Sequence, residues 1–258
     1  MEMISVWVSL VDTPSGVNGN RSADRIIRSP GFGIIGCVTD TDIVLSWSGG
    51  KDSAMALKLL REDASLTVAY LLTTVNEDYG RVSIHGVRRT LLAHQAEAVG
   101  VPLVEVEIPA RCTDQMYQAS MVAAITSPPL AGINMHAFAD LFLEDVRSYR
   151  KDNLRKLGKK PVFPVWGRET SSFAREFIEL GFKAVMVCVD TEVLDPEFAG
   201  REFDLSLLEN LPHGVDPCGE NGEFHTFVYD GPGFSSRIAF DVGETVIRDG
   251  FAFKDLKS

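Results

Sequence analysis

The sequence predicts an α/β protein: a doubly wound parallel sheet followed by a smaller α+β portion. Three observations carry this. From Asp42 onward, short β-branched or apolar runs alternate with helical patterns of roughly 10–15 residues. Several of the helical patterns stop at Gly or Pro before the next run, as at Gly100-Val101-Pro102, Gly158 and Gly181. Beyond Asp190 the texture shifts to turn residues, glycines and aromatics with shorter runs. Strand–helix–strand succession implies right-handed crossovers and therefore parallel strands. The expected division is a loosely ordered leader at 1–41, the sheet-bearing part at 42–165 and the smaller portion at 166–258.

Within the leader, residues 12–33 are rich in Gly, Ser, Asn, Pro and Asp and lack periodicity. Asp42–Trp47 is a short apolar run that stops at Ser-Gly-Gly. Ser53–Arg61 then carries Met55, Leu57, Leu59 and Leu60 in a helix pattern, and Leu66–Val75 is a run long enough for a buried strand. Val87–Val99 reads as a helix. Leu103–Ile108 alternates apolar and acidic residues, as a half-exposed strand does. The pattern continues with a helix at Thr113–Ile125, a strand at Asn134–Ala139, an amphipathic helix at Leu141–Leu157 and a short strand at Val162–Trp166. A helix at Ser171–Leu180 and strands at Phe182–Val189, Phe224–Tyr229 and Arg237–Phe240 complete it.

The chain has 258 residues, with 25 Lys+Arg against 36 Asp+Glu and a net charge of −11. This balance argues against a dedicated DNA or RNA binder, which needs positive charge facing phosphates. No stretch approaches the roughly 18–20 apolar residues that cross a bilayer, and Met1–Val11 lacks a basic region or cleavage site. Cys37, Cys112, Cys188 and Cys218 form no C-x-x-C pair, so a zinc ribbon, an iron–sulfur site and a disulfide framework are not suggested. The expectation is a soluble cytoplasmic protein with reduced thiols, with no membrane partner.

The segment that carries chemistry is Ser46-Trp47-Ser48-Gly49-Gly50-Lys51-Asp52-Ser53, between a predicted strand and a predicted helix. Adjacent glycines permit positive φ and let backbone amides approach a ligand. The unpaired amides at a helix N-terminus favour an anion such as phosphate. Ser48 and Ser53 add hydroxyls and Lys51 a full positive charge. The spacing is neither that of a Walker A loop nor that of G-x-G-x-x-G.

These six residues, Ser48 to Ser53, resemble the SGGKDS pyrophosphate loop of the N-type ATP pyrophosphatases, within the adenine nucleotide alpha hydrolase superfamily. The resemblance implies ATP and Mg²⁺ as cofactors, cleavage between the α and β phosphates, and transfer of AMP to an acceptor. It also implies that Ser48, Gly49, Gly50, Lys51, Asp52 and Ser53 cradle the β and γ phosphates. An acid beside phosphates fits a metal ligand or a loop-fixing acceptor, so Asp52 is the expected metal residue.

A second stretch, from His213 to Phe234, resembles the C-terminal signature of the diphthine–ammonia ligase family. Other marks of that family follow in order: His85-Gly86, Ala139-Asp140 with Glu144-Asp145 and Arg147, Phe163-Pro164 with Trp166, and Val189-Asp190 ahead of Leu194-Asp195. The resemblance runs from about Ile43 to Phe234. It implies an ATP pyrophosphatase-type domain at 42–165 and an acceptor-binding portion at 166–258. Two departures stand out. The family's ligases typically carry Glu-Gly-Gly-Glu-(Phe/Tyr)-Glu where this chain has Glu220-Asn221-Gly222-Glu223-Phe224-His225, a form closer to a bacterial branch linked to corrinoid salvage. Ala139 also stands where Gly is usual.

Amide formation from an acyl adenylate needs ammonia rather than ammonium, so a base is required near the acyl carbon. Glu223 and His225, two apart on a strand, point to one face, and Glu220 is placed to hold Mg²⁺ or the amine. The rival reading is a hairpin whose polar residues satisfy turn amides. Lys51, Glu220, Glu223 and His225 are the expected catalytic set.

Among further candidates, His85 follows the second strand, at the sheet end where doubly wound folds bind ligands; substrate or nucleotide contact competes with a loop-fixing hydrogen bond. Thr74, at the end of the same strand, is expected to contact adenosine. Asp140, with Glu144 and Arg147 on one helix face, makes either an internal ion-pair set or part of the ATP or acceptor site. His94 reads as a surface residue and Cys188 as core. Arg147, Arg150, Lys151, Arg155, Lys156, Lys159 and Lys160 read as a solvated helix face, with docking of an acidic macromolecule as the rival. A thiol relay at Cys218 lacks the paired cysteine that sulfur transfer uses.

The resulting expectation is an ATP-dependent, AMP-forming ligase that adenylates an acceptor carboxylate and amidates it with ammonia. Its partners would be ATP, ammonia and a carboxylate acceptor, either protein-bound diphthine or a small molecule such as a corrinoid-salvage intermediate. A non-catalytic adenine-nucleotide sensor is the reading from another class, and a homo-oligomer stays open.

Overall fold

The structure, a computed structural model, describes residues 38–82 and 85–258; the leader expected at 1–41 lies outside the described residues as far as residue 37. The first sheet is built from β1 (Asp42–Ser46), β2 (Thr67–Asn76), β4 (Leu103–Ile108), β5 (Met135–Ala137) and β6 (Lys160–Val162), all pairing in parallel. Their spatial order is β4-β2-β1-β5-β6, and the two-residue β3 (Arg81–Val82) lies antiparallel to the end of β2. The chain moves outward from β1 in one direction, then returns to β5 on its other side. A crevice opens at such a reversal, outside the carboxyl ends of the strands.

Helices α1 (Lys51–Glu62), α2 (Arg89–Val99), α3 (Asp114–Thr126) and α4 (Glu144–Lys156) connect these strands or follow them. Successive side chains along a strand face opposite ways. Ile43, Leu45 and Leu71 therefore join a core with α1 and α2, while Val44, Leu72, Val104 and Val106 join a second core with Ala124 and Ile125 of α3 and Leu154 of α4. Both faces are buried, which accounts for strand sequences that are apolar without alternation. β4 was expected to be half exposed, but it is covered on both faces. Glu105 is buried, and Arg89 neutralises it through Nε at 2.7 Å and reaches Glu107 through Nη1 at 3.0 Å.

The second sheet is antiparallel, in the order β8 (Phe224–Asp230), β7 (Lys183–Asp190), β10 (Phe251–Lys257) and β9 (Asp241–Arg248). Helix α5 (Thr170–Glu179) precedes β7, and its N-cap Glu169 accepts from Ser171 N and Ser172 N at 2.9 and 2.7 Å. A one-turn helix at Pro196–Phe198 and α6 (Leu205–Asn210) lie between β7 and β8. Phe177, Phe182, Phe203, Phe224 and Phe227 belong to the same apolar cluster as β1, α1 and α2, so this core continues from one sheet to the other. Among the described residues, no helix is long and apolar enough to cross a membrane.

Some expected elements differ. The strand expected at Val162–Trp166 ends at Val162; residues 163–166 turn, with Trp166 N bonded to Phe163 O, because Pro164 has no N–H for a ladder. Arg237–Phe240 is not a strand and makes a single ladder-like bond, Ile238 N to Tyr229 O. The strands there are the β9–β10 hairpin, closed by Asp249 at φ +51 and Gly250 at φ +79. Helix α4 begins only at Glu144, so Asp140 lies before it rather than on its face.

Candidate active site

The crevice at the ends of β1, β2, β4 and β5 is a cleft of about 400 Å³, within the size of ordinary ligand sites. One wall is the turn from β1 into α1. Gly49 adopts φ +79, and a Cβ there would lie 2.6 Å from Gln95 Oε1 and 2.7 Å from Leu92 Cδ1, so only glycine fits. Gly50 is the N-cap of α1 and has no side chain to occupy its amides. Gly50 N donates to Ser48 Oγ at 3.3 Å, Ser53 Oγ donates to Gly50 O at 2.9 Å, and the two serine hydroxyls lie 3.3 Å apart.

The other wall is the chain from Asp216 into β8. Lys51 N donates to Thr226 Oγ1 at 3.1 Å, and Val228 N donates to Gly49 O at 2.9 Å, so the second sheet holds the first wall in place. The Lys51 ammonium is buried, pairs with Asp52 Oδ2 at 3.0 Å, donates to Cys218 O and sits 5.6 Å over the Phe224 ring. Burial works to lower its pKa, but the surrounding negative charge, Asp52 foremost, outweighs it and holds the ammonium above its ordinary range.

Across from Lys51, burial pushes the Glu220 carboxyl up to about 8, helped by the neighbouring Asp52 charge. Glu220 lines the cleft and accepts from Leu141 N at 3.3 Å. Asp52 is also shifted upward, by burial first. Its Oδ2 holds Lys51 while its Oδ1 is buried and lacks a hydrogen-bond partner. Among the described residues, no group of three or more His, Cys, Asp or Glu could hold a metal alone. Mg²⁺, however, is commonly held by one or two carboxylates plus substrate phosphates, and the unsatisfied Asp52 oxygen beside the loop fits that demand.

Glu223 is placed differently from the expectation that paired it with His225. It precedes β8, is 5% exposed and does not line the cleft. Its oxygens accept from Asp216 N at 3.0 Å, Asn221 N at 2.9 Å and Asn221 Nδ2 at 3.0 Å. With Cys218 N on Asp216 Oδ1 at 2.7 Å, these bonds tie the turn that presents Glu220. His225 does reach the cleft, and its ring stacks on His85 with centroids 4.6 Å apart. His85 Nδ1 lies 3.2 Å from Thr226 O. Since a carbonyl only accepts, Nδ1 carries the proton and Nε2 presents its lone pair. Burial lowers His85 to about 4 and His225 well below its ordinary value, so both imidazoles are neutral at pH 7.

Thr74 and Asp140 also line the cleft. Asp140 is paired with Arg150: Nη2 to Oδ1 is 3.1 Å, and Nε lies 2.7 Å from Oδ2 but is poorly aligned for a hydrogen bond. Arg150 lies over Phe138 at 4.4 Å, and Arg147 over Trp166 at 4.2 Å and Phe163 at 5.3 Å. These two arginines therefore leave the basic face that was expected to be solvated. Arg147 reaches Glu144 at 3.3 Å but not Asp140 in any ion pair, so the expected three-residue set splits. The cleft also has an apolar side, where Tyr117 and Met121 of α3 face Leu143, Val146 and Tyr149. Cys218 is buried, its thiol pushed up by that burial and donating to Thr170 O at 3.3 Å.

Two family models match the sequence over most of this fold. The diphthamide synthase N-terminal domain matches residues 41–124, and the diphthamide synthase C-terminal domain matches residues 169–257. The chain belongs to the diphthamide synthase family. Relatives include the diphthine–ammonia ligase of Rattus norvegicus, 34% identical over 117 residues, and that of Homo sapiens, 33% identical over 117 residues. Each alignment covers 43% of this chain and 44% of the relative, so less than half of either is spanned. The diphthine–ammonia ligase of Schizosaccharomyces pombe is 25% identical over 139 residues, 52% of this chain and 22% of that protein.

For a diphthamide synthase family chain, the C-terminal match reaches further than the motif resemblance, which ended near Phe234: it takes in the β9–β10 hairpin. Two residues that position the site were missed from sequence. Gln95 is fully buried in α2; its Nε2 donates to Gly49 O at 2.9 Å and to Val228 O at 2.5 Å, and its Oε1 accepts from Trp47 Nε1 at 2.9 Å. Its signal was a polar residue one turn from Leu91, on the buried face. Thr226, whose hydroxyl receives Lys51 N, lay within the second signature one residue beyond His225.

Proposed function

We propose that the chain is an ATP-dependent, AMP-forming ligase that adenylates an acceptor carboxylate and amidates it with ammonia. The observation that carries this reading is that the 48–53 turn and the Glu220–His225 wall face each other across one cleft, joined by the Lys51 ammonium. The amides of Gly49 to Lys51 and the hydroxyls of Ser48 and Ser53 receive the phosphates, with adenosine toward Thr74 at the end of β2. Asp52 is the residue that would hold Mg²⁺, which when bound neutralises phosphate charge.

The acceptor carboxylate attacks the α-phosphorus, and the bond to the β-phosphate oxygen breaks with release of pyrophosphate. Lys51 and the loop amides stabilise the negative charge that develops on that leaving group. Ammonia then attacks the acyl carbon, AMP leaves, and the surplus proton passes to the ionised form of Glu220, which a pKa of about 8 makes a stronger base than an ordinary carboxylate. The neutral His85–His225 pair orients the amine through the lone pair on His85 Nε2. Glu223 acts through the turn it fixes.

Protein-bound diphthine is the acceptor that the relatives' names support. His225, standing where those ligases typically carry an acid, favours a small carboxylate of the corrinoid-salvage type as the second reading. The test is incubation with ATP, Mg²⁺, ammonium and each acceptor while AMP, pyrophosphate and the amide are followed. ADP and phosphate as products would overturn the ligase reading, and tight nucleotide binding without turnover on any acceptor would favour a sensor.

A further inference from the structure

The hairpin β9–β10 lies outside the cleft, yet it grips the one loop that brings His85 into it. Arg81 in β3 and Arg88 just before α2 flank that loop on its two sides. Asp255 of β10 takes both. Its Oδ1 accepts from Arg81 Nη2 at 2.8 Å and Arg88 Nε at 3.0 Å, and its Oδ2 accepts from Arg88 Nη2 at 2.7 Å. Arg81 Nη1 also donates to Gly86 O at 2.7 Å. Gly86 sits at φ +67 beneath Phe253, where a Cβ would come within 2.9 Å of that ring.

An exposed ion pair contributes little, but one carboxylate that joins two arginines, one of them through two nitrogens of its guanidinium, is a geometrically specific connection. The Asp255 carboxyl is 16% exposed, and the bonds from Arg88 first, then Arg81, hold it down at about 2. At the far side of the loop, His85 is equally constrained. Its Nδ1 meets Thr226 O at 3.2 Å, and its Cε1 lies 3.1 Å from where a Cβ on Gly50 would stand.

We propose that Asp255 is a positioning residue: by bonding both Arg81 and Arg88 it braces the backbone pairing of Val82 N with Val87 O and Arg89 N with Gly80 O, and so sets the His85 imidazole against Gly50 and Thr226. The placement of His85 stands on the contacts alone, while its consequence for nucleotide affinity rests on the proposed function. Asp255→Asn keeps the shape and removes the charge, and Asp255→Glu keeps the charge. Asp249→Asn, in the turn of the same hairpin, controls for general loosening.

The His85 signal, assigned with His85→Gln, is followed by NMR through a pH titration without ligand, and affinity for α,β-methylene-ATP with Mg²⁺ is measured by calorimetry. In Asp255→Asn the His85 titration should move up from about 4 toward the ordinary histidine range. Nucleotide affinity should fall about tenfold. Asp255→Glu should restore most of both, and Asp249→Asn should change neither. An unmoved His85 titration in Asp255→Asn, or equal losses in all three variants, overturns the proposal. Arg88→Lys, which keeps the charge and loses the fork, repeats the test should Asp255→Asn not fold. If the wild-type protein binds no nucleotide, the functional reading falls and the NMR titration still decides the positioning.

Discussion

In the wall formed by residues 48–53, shape is held by backbone: a left-handed glycine, an uncapped helix start, and carbonyls and amides bonded to Gln95, Thr226 and Val228. In the wall formed by residues 216–226, shape is held by side chains: Glu223 and Asp216 satisfy the turn amides so that Glu220 and His225 can face the cleft. The first wall is suited to a ligand defined by charge and compactness, because amides recognise any phosphate. The second is suited to discrimination, because exchanging one side chain changes what is presented while the turn stays. That difference explains how a chain can keep the Ser48–Ser53 turn intact while the residue at position 225 varies.

The comparison can be broken most severely at Lys51, whose buried ammonium joins both walls. Lys51→Met should lower AMP-forming turnover by about a hundredfold or more, read as pyrophosphate release. It also leaves Asp52 and Glu220 facing each other unpaired, so unfolding in urea should show a loss of about 3 kcal/mol. Equal stability and turnover in the variant would detach Lys51 from the site. Next is Gly49→Ala. Strain at φ +79 and overlap with Gln95 and Leu92 should cost about 2 kcal/mol in denaturation and abolish measurable binding of α,β-methylene-ATP.

A sharper separation is expected between two carboxylates three residues apart. Glu223→Gln should lower stability by about 1–2 kcal/mol through its turn bonds, with turnover tracking the folded fraction. Glu220→Gln should leave the melting temperature nearly unchanged and reduce amide formation about tenfold or more. The reverse pattern would exchange their roles. A further effect, confined to acid conditions, is on pH. His85 and His136 are both lowered to about 4, by burial first, and His136 is 2% exposed in β5. Below 6.5 the unfolded chain binds the proton that the folded chain refuses, so stability should fall as pH drops from about 6.5 to about 4. For His136 alone the loss is on the order of 3 kcal/mol at the low end. His136→Gln should flatten that slope without touching nucleotide binding at pH 7, where both rings are neutral in the folded protein.

Sheet strands and the glycine turn at residues 48–53 were legible from sequence for the same reason. Strands buried on both faces must be apolar throughout, and a positive-φ turn at the end of one must be glycine. The second wall was legible as a segment and not residue by residue. Glu220, Glu223 and His225 look equivalent along the chain, and only the folding of Asp216–Gly222 into a turn decides which carboxylate is consumed by amides. The β9–β10 hairpin escaped because β9 is almost wholly exposed, with Val242, Val246 and Ile247 facing solvent, so it has no core-facing alternation. The Asp249-Gly250 pair was the signal available for it. Gln95 was hidden by its type, since a glutamine in a helix ordinarily points to water.

Gln95 has a consequence for how the molecule comes apart. It holds together the end of β1 through Trp47, the 48–53 turn through Gly49 and the second sheet through Val228. A fragment that stopped near residue 165 would lack two of the groups that shape the turn, Thr226 and Val228, and would leave one of the two Gln95 N–H groups unsatisfied in a buried place. The two sheets should therefore melt as one cooperative unit. A fragment of residues 38–165 should bind nucleotide only when the remaining piece is added back.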